Sequence, residues 1–328
     1  MTLPPLLSIF VPTYNGARYV REAIESVLDN GFADLEIIVV DDGSTDETVK
    51  IVESIHHSAI RLSRNAKNLG VVETRRRGVS LLRGRYVALL DQDDIAVKGR
   101  FEAQVERLET AGGPDIVGGA IENFGDLNGV KTFFACDSEI RSALLFNASL
   151  AHPAVCMKVQ PLRDGIIAYS VDAGAAADYA LWVDAMLNGL RLENLDRVVT
   201  RYRRHATSMT RTNLDEMIAC ACLVRRRVAA AYFPNFSEAE RAALVNAISR
   251  RGGVHYDTTM ARRNFRVVAC GAGCGCYSRN RLRTDGTFVV RACHAIDRRR
   301  AQAGGSGFCC TGNDDRDKFI FRTMARSW

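Results

Sequence analysis

The 328-residue chain predicts an α/β fold, a mostly parallel, doubly wound sheet with a helical extension after it. Two observations predict it. Short apolar runs rich in β-branched residues alternate with segments of helical spacing, and that order imposes right-handed crossovers and parallel pairing. Three of the runs end in polar turns, and on an open sheet ligands collect at the carboxyl ends of strands.

Leu7 to Pro12 is the first strand and ends in Thr13-Tyr14-Asn15. Residues 17–30 follow with Val20, Ile24, Val27 and Leu28 at helical spacing. The second strand, 35–40, closes on Asp41-Asp42-Gly43-Ser44-Thr45-Asp46, where Ser, Thr and Asp suit the start of a helix over 45–57. Residues 59–63 form a third strand, 70–83 a helix, and 86–90 a fourth strand running into Asp91-Gln92-Asp93-Asp94. Beyond it the pattern predicts a helix from Phe101 to Leu108 and strands within 116–135, broken at the turn-forming Gly125-Asp126-Leu127-Asn128-Gly129. A helix over 137–148, a strand over 154–159, a helix over 178–188 and one or two strands between Arg191 and Tyr202 complete residues 1–210. Residues 211–253 read as a helical extension of two amphipathic helices, 213–232 and 237–250, the second opened by Ser237 with Glu240 at capping-box spacing. Residues 254–328 lose all periodicity and form an irregular, Cys-, Gly- and Arg-rich tail.

The net charge of +6 belongs to that tail. It holds 13 Arg and 1 Lys against 6 Asp, so the remainder of the chain carries −2. A nucleic-acid enzyme concentrates positive charge around its site, which argues against a nucleic-acid partner. No apolar run is long enough to span a bilayer and no signal peptide is read. Ten cysteines without a secretion signal fit a reducing, cytoplasmic setting. The basic tail suggests peripheral contact with the inner face of the plasma membrane, by attraction to anionic lipid. Cys270, Cys274, Cys276, Cys293 and His294 do not have the paired spacing of a zinc site.

The acidic turn carries the chemistry. Crowded carboxylates repel one another, and a hard divalent cation such as Mg²⁺ or Mn²⁺ relieves the repulsion through oxygen ligands. The second turn, Asp41 to Asp46, repeats the arrangement of strand, aspartate pair, glycine and capping residues.

Taken together, these stretches resemble the family 2 inverting glycosyltransferases of bacterial surface-polysaccharide type. The resemblance rests on Val11-Pro12-Thr13-Tyr14-Asn15, Val40 to Asp46, Asn68-Leu69-Gly70 leading into Arg75, and Leu90 to Asp94. It continues through His152-Pro153-Ala154-Val155, Asp178-Tyr179-Ala180-Leu181-Trp182 and Tyr202-Arg203-Arg204-His205, in family order over residues 5 to 210. It implies the Rossmann-like GT-A fold, a nucleotide-sugar donor (a UDP-sugar), a glycan or lipid-linked acceptor, and a divalent metal, Mn²⁺ or Mg²⁺.

By the same resemblance Asp93 and His205 are the metal ligands, and Asp91 and Gln92 belong to the donor site with Pro12, Thr13, Tyr14 and Arg75. Asp42 would accept from a pyrimidine imide N–H, a role that suits an acceptor-only group, and Asp41 is the weaker candidate. Asp94 would cap the segment after it. Asp178 stands where the family has its general base, while Ala177 replaces the usual glutamate before it and Arg76 the usual asparagine after Arg75. His152 and Trp182 fall on the acceptor side. The alternative readings are a sugar-nucleotide nucleotidyltransferase, whose glycine-rich basic triphosphate loop is missing after the first strand, and a degenerate nucleotide- or glycan-binding protein, to which Ala177 points. On residues alone, Asp178 reads first as an ordinary helix N-cap.

Overall fold

The computed structural model describes residues 4–205, 214–252, 265–270 and 288–293. The chain divides into two compact units, Met1–Ser249 and Arg250–Trp328. In the second, strands Phe265–Cys270 and Phe288–Cys293 pair in parallel. Cys274, Cys276, His294 and the basic run 298–300 lie outside the described residues. No helix among the described residues is long and apolar enough to cross a membrane.

The first unit is built on β1 (Leu7–Thr13), β2 (Leu35–Asp41), β3 (Ile60–Arg64) and β4 (Tyr86–Leu89), all parallel in the order β3-β2-β1-β4. Leu7, Ile9, Phe10 and Val11 of β1 and Ile37 to Val40 of β2 are almost fully buried, which is why both read as unbroken apolar runs. Helices cover the sheet. On α1 (Val20–Leu28), Val20, Ala23, Ile24 and Val27 make one buried stripe. α2 (Thr48–Glu53) and α3 (Val71–Leu81) follow β2 and β3. On α3, Gly78 lies so close to β1 that a Cβ there would come within 2.2 Å of the Phe10 ring.

Parallel register levels the strand ends. Thr13 of β1 sits opposite Asp41 of β2, and Leu90 N donates to Phe10 O at 3.1 Å. The three polar turns therefore open on one edge of the sheet.

Beyond β4 the sheet becomes mixed. β8 (Cys156–Lys158) runs antiparallel between β4 and β6 (Ile116–Gly125), and β6 pairs in parallel with β9 (Leu192–Arg204). β7 (Gly129–Lys131) closes the hairpin on β6. The segment from Arg191 onward is thus one long strand, its register to β6 shifting around Ala120. β5, only Ile95–Ala96, leaves the acidic turn directly and pairs antiparallel with β9, Ile95 opposite Arg201. That short pairing brings the end of β9 to the acidic turn. α4 (Arg100–Glu109), α5 (Asp137–Ala143), α6 (Gln160–Arg163) and α7 (Ala177–Leu187) complete the α/β part, with 3-10 turns at His152–Ala154 and Val171–Ala176. α8 (Leu214–Tyr232) and α9 (Glu238–Gly252) follow. Arg225 of α8 donates to Phe146 O and the Tyr232 hydroxyl donates to Arg141 O, so α8 packs on the layer that carries α7.

A buried carboxylate fixes the opposite edge. Glu36, 2% exposed, accepts from Ser8 Oγ at 2.7 Å, Arg61 Nη1 at 2.7 Å and Arg83 Nε at 2.8 Å. Burial opposes its ionisation, but these hydrogen bonds outweigh burial and hold its pKa below the ordinary value of 4.5. A lowered folded-state pKa contributes stability above the unfolded value, lost as pH falls through the folded one. Glu36→Gln is therefore expected to cost about 1–3 kcal/mol at pH 7 and to flatten the stability loss below pH 4.5. Thermal melts from pH 3 to 7 check both; a variant with the wild-type slope would contradict the assignment.

Candidate active site

The first two turns are stitched together before any ligand arrives. Asn15, the one non-glycine residue with positive φ among the described residues, accepts from Thr45 N at 2.9 Å and donates its own N–H to Ser44 Oγ. Gly16 N donates to Thr48 Oγ1 and Ala17 N to Asp46 Oδ2. Gln92 reaches across from the acidic turn. Its Oε1 accepts from Thr13 Oγ1 at 2.5 Å and Tyr14 N at 2.9 Å, while its Nε2 donates to Tyr14 O at 3.1 Å. Tyr14 itself is 42% exposed, a ring face open beside the strand ends.

Asp42 accepts from Asn65 Nδ2, Leu69 N and Gly70 N at 2.7–2.9 Å, which holds the loop before α3 against β2. Two carboxylate oxygens offer about four acceptor directions, so one remains. Asp41 lies deeper. Its Oδ2 takes Ser44 N at 3.1 Å, and its Oδ1 is buried without a hydrogen-bond partner.

The three carboxylates of the acidic turn meet three different environments. Asp91 lies 3.8 Å from both Arg75 Nη2 and His152 Nδ1; burial opposes its ionisation, but these two neighbours outweigh it and lower its pKa. Asp93 is raised by burial and by the charge of Asp91, against the pull of His205, whose Nε2 stands 2.7 Å from Asp93 Oδ2. Asp94 is raised furthest, first by burial and then by Asp93 and Asp91. Its Oδ1 accepts Arg203 N at 2.8 Å, and its buried Oδ2 has no partner.

Arg203 secures the end of β9. Its Nε donates to Asp93 O at 2.8 Å, its Nη2 meets Glu22 at 2.5 Å, and its guanidinium lies 4.5 Å from the Tyr19 ring centroid and 4.4 Å from that of Phe124. Tyr19 also stands 5.3 Å from the His205 ring.

A second cluster lies beside Asp91. Arg75 Nη2 approaches His152 Nδ1 at 3.3 Å, and His152 Nε2 approaches the Tyr169 hydroxyl at 3.0 Å. Burial, reinforced by Arg75, lowers the His152 pKa and keeps the imidazole neutral. Asp178, at the start of α7, is near enough for its charge to act on both His152 and Tyr169. Its Oδ1 accepts Tyr179 N at 2.7 Å, a first-turn donor, and its Oδ2 has no hydrogen-bond partner among the described residues.

The residues expected from sequence thus gather at one edge, with three corrections. Trp182 is fully buried, 6.3 Å from the His152 ring, and backs that ring instead of facing an acceptor. Asp94 does not cap the segment after it; it latches β9. Asp178 lies within α7, whose N-cap is Ala176, so it is not the helix N-cap. Sequence reasoning missed Arg203, Tyr169 and Asn15 as working parts. Arg203 stood within the matched motif; the other two become legible only once the turns and the His152 contact are seen.

Among the described residues no three His, Cys, Asp or Glu side chains form a ready-made metal cage. A carboxylate and an imidazole 2.7 Å apart nevertheless fit a divalent cation that takes its remaining ligands from a diphosphate and water. The raised pKa of Asp93 is the electrostatic demand that such a cation answers.

The model of glycosyl transferase family 2 matches residues 8–136. The Escherichia coli UDP-Glc:α-D-GlcNAc-diphosphoundecaprenol β-1,3-glucosyltransferase WfaP is 31% identical over 219 residues, covering 65% of this chain and 83% of that protein. The E. coli enzyme WfgD, named for the same reaction, is 27% identical and covers 65% of this chain and 82% of that one. Staphylococcus aureus TarS, solved in complex with UDP-GlcNAc, superposes with a TM-score of 0.60 at 19% identity, covering 78% of this chain and 75% of that one. That likeness extends to the fold.

The Asp94 latch gives a paired prediction. Asp94→Asn keeps an acceptor for Arg203 N and removes a crowded charge, so its Tm should stay near wild type. Asp94→Ala leaves that N–H without its acceptor and should cost about 1–3 kcal/mol. Equal melting temperatures for the two variants would contradict the latch.

Proposed function

The chain belongs to glycosyl transferase family 2 and is a glycosyltransferase of bacterial polysaccharide type with a GT-A fold; from that premise we propose an inverting transfer from a UDP-sugar to a lipid-diphosphate-linked saccharide. Family membership sets aside the nucleotidyltransferase reading. The choice of UDP rests on the donor printed in the names of WfaP and WfgD, and on the ligand of TarS. The lipid-linked acceptor rests on the first two.

The observation that carries the mechanism is the pairing of Asp93 with His205 at the strand ends, with Asp178 near the adjoining His152–Tyr169 cluster. Asp93 and His205 would hold Mg²⁺ or Mn²⁺, which when bound offsets the charge that develops on the leaving diphosphate. The chain's own groups do the rest. Asp42 offers its remaining acceptor direction to the uracil imide N–H, and the exposed Tyr14 ring covers the base. Thr13 and Tyr14 keep their backbone positions because Gln92 holds them. Neutral His152 and Arg75 orient Asp91, whose carboxylate accepts from hydroxyls of the donor.

Asp178 takes the proton from the attacking hydroxyl. The oxygen–C1 bond forms as the C1–O bond to the diphosphate breaks, and UDP leaves. A single displacement inverts the configuration at C1. With Ala177 as its neighbour, Asp178 works without the second carboxylate usual in the family.

Two experiments test this reading. Asp178→Asn should lower kcat by about 10²–10⁴-fold while UDP affinity, measured by calorimetry, stays within twofold; full turnover would refute the base. UDP should bind more tightly in Mn²⁺ than in EDTA, and Asp93→Asn should abolish that difference. A metal-independent UDP affinity would refute the Asp93–His205 assignment.

A further inference from the structure

The end of β9 has the acidic turn on one side and a hairpin on the other. β5, which leaves the acidic turn, pairs with β9 at Arg201, and β6 pairs along the opposite side of β9. Gly125 of β6 sits opposite Arg204, the residue before His205, and Asp126 N donates to Arg204 O at 2.8 Å. The chain then turns through Leu127 and Asn128 and returns as β7. With neighbouring strands about 5 Å apart, the hairpin opens within about two strand spacings of the acidic turn. It stands at the same edge of the sheet as the Asp93–His205 pair.

The hairpin has an aliphatic tip and a basic, aromatic base. Leu127 and Val130 are 46% and 52% exposed. Behind them cations and rings interleave: the Arg201 guanidinium lies 4.5 Å from the Phe124 ring centroid, Lys131 Nζ 5.1 Å from that of Phe133 and the Arg204 guanidinium 5.6 Å from that of Tyr202. Lys131, Arg201, Arg203 and Arg204 stand against Glu22, Glu122 and Asp126, so positive charge is in surplus. Burial, and then the charge of Arg204, lowers the Lys131 pKa to about 8. Cations crowded in this way are relieved by an anion, as crowded carboxylates are by a cation. A free anion would satisfy the cations and leave Leu127 and Val130 in water. A lipid surface answers both, since it meets an element in this order: aliphatic tip in the acyl boundary, rings at the interface, cations among negative headgroups.

We propose that the β6–β7 hairpin is a membrane-docking element, which seats Leu127 and Val130 between the headgroups of an anionic lipid surface with Lys131 and Arg204 on lipid phosphates. Docked so, the open edge of the sheet faces the bilayer. A lipid-diphosphate-linked acceptor presents its sugar at that level, so the purpose of the docking rests on the acceptor reading above, while the docking itself does not. It gives the folded domain a membrane contact separate from the one that charge suggests for the basic tail.

Vesicle flotation of the full chain tests it, with equal parts phosphatidylglycerol and phosphatidylcholine against phosphatidylcholine alone. The wild type should float with the anionic vesicles and not with the neutral ones. Leu127→Ser combined with Val130→Ser should weaken that binding about tenfold in Kd, and Lys131→Gln combined with Arg204→Gln by at least as much, with Tm and UDP affinity as controls. In a Leu127→Trp variant, brominated lipid in the anionic vesicles should quench the added tryptophan fluorescence. Wild-type binding retained by either double variant, as the tail alone would give, would overturn the docking element. So would an unquenched tryptophan, equal binding to neutral vesicles, or no binding at all. None of these measurements uses donor or acceptor. A failed acceptor reading shows itself separately, as no transfer to a lipid-linked saccharide while vesicle binding stays intact.

Discussion

Three carboxylates crowd the five residues after β4, and the rest of the site is arranged around keeping them there. Like charges this close raise one another's pKa unless partners intervene. Asp91 has its partners in Arg75 and His152. Asp94 is withdrawn into the protein, where it accepts the Arg203 N–H and bears the largest upward shift. Asp93 alone is left facing an imidazole, with a raised pKa that an added cation would reverse. This division of labour leaves one position of the turn open to the cation proposed above and makes the other two its framework.

The division depends on the tertiary fold more than on the turn. His205 reaches Asp93 because β5 pairs with β9, and Arg203 then ties the strand to Asp94, Asp93 O and Glu22. Arg75 reaches Asp91 from α3, and with burial its charge keeps the His152 ring neutral. The site is thus held by hydrogen bonds between segments distant in sequence, leaving little for a donor to reorganise on binding.

Much of this was legible in the sequence, and what was not has a physical reason. β1, β2 and β4 announce themselves because both faces are buried, which turns each into a continuous apolar run. The turns after them read as sites because Asp, Asn, Ser and Thr cluster where parallel strands end. β5 was illegible, since two residues carry no periodicity and their pairing is decided by β9 about a hundred residues later. The same distance hid the Asp94 latch, whose partner is a backbone N–H with no sequence signature. Trp182 was misjudged for the opposite reason, because its motif gives its position on α7 but not its burial.

The central claim is that Asp93 and His205 together mark the metal position at which the donor diphosphate is held. Anomalous diffraction from Mn²⁺ in crystals grown with UDP tests it most directly. The account predicts one strong peak within bonding distance of both Asp93 and His205 and of a diphosphate oxygen. A peak held by Asp91 or Asp94 instead, or UDP bound at the strand ends with no metal beside Asp93, would contradict it.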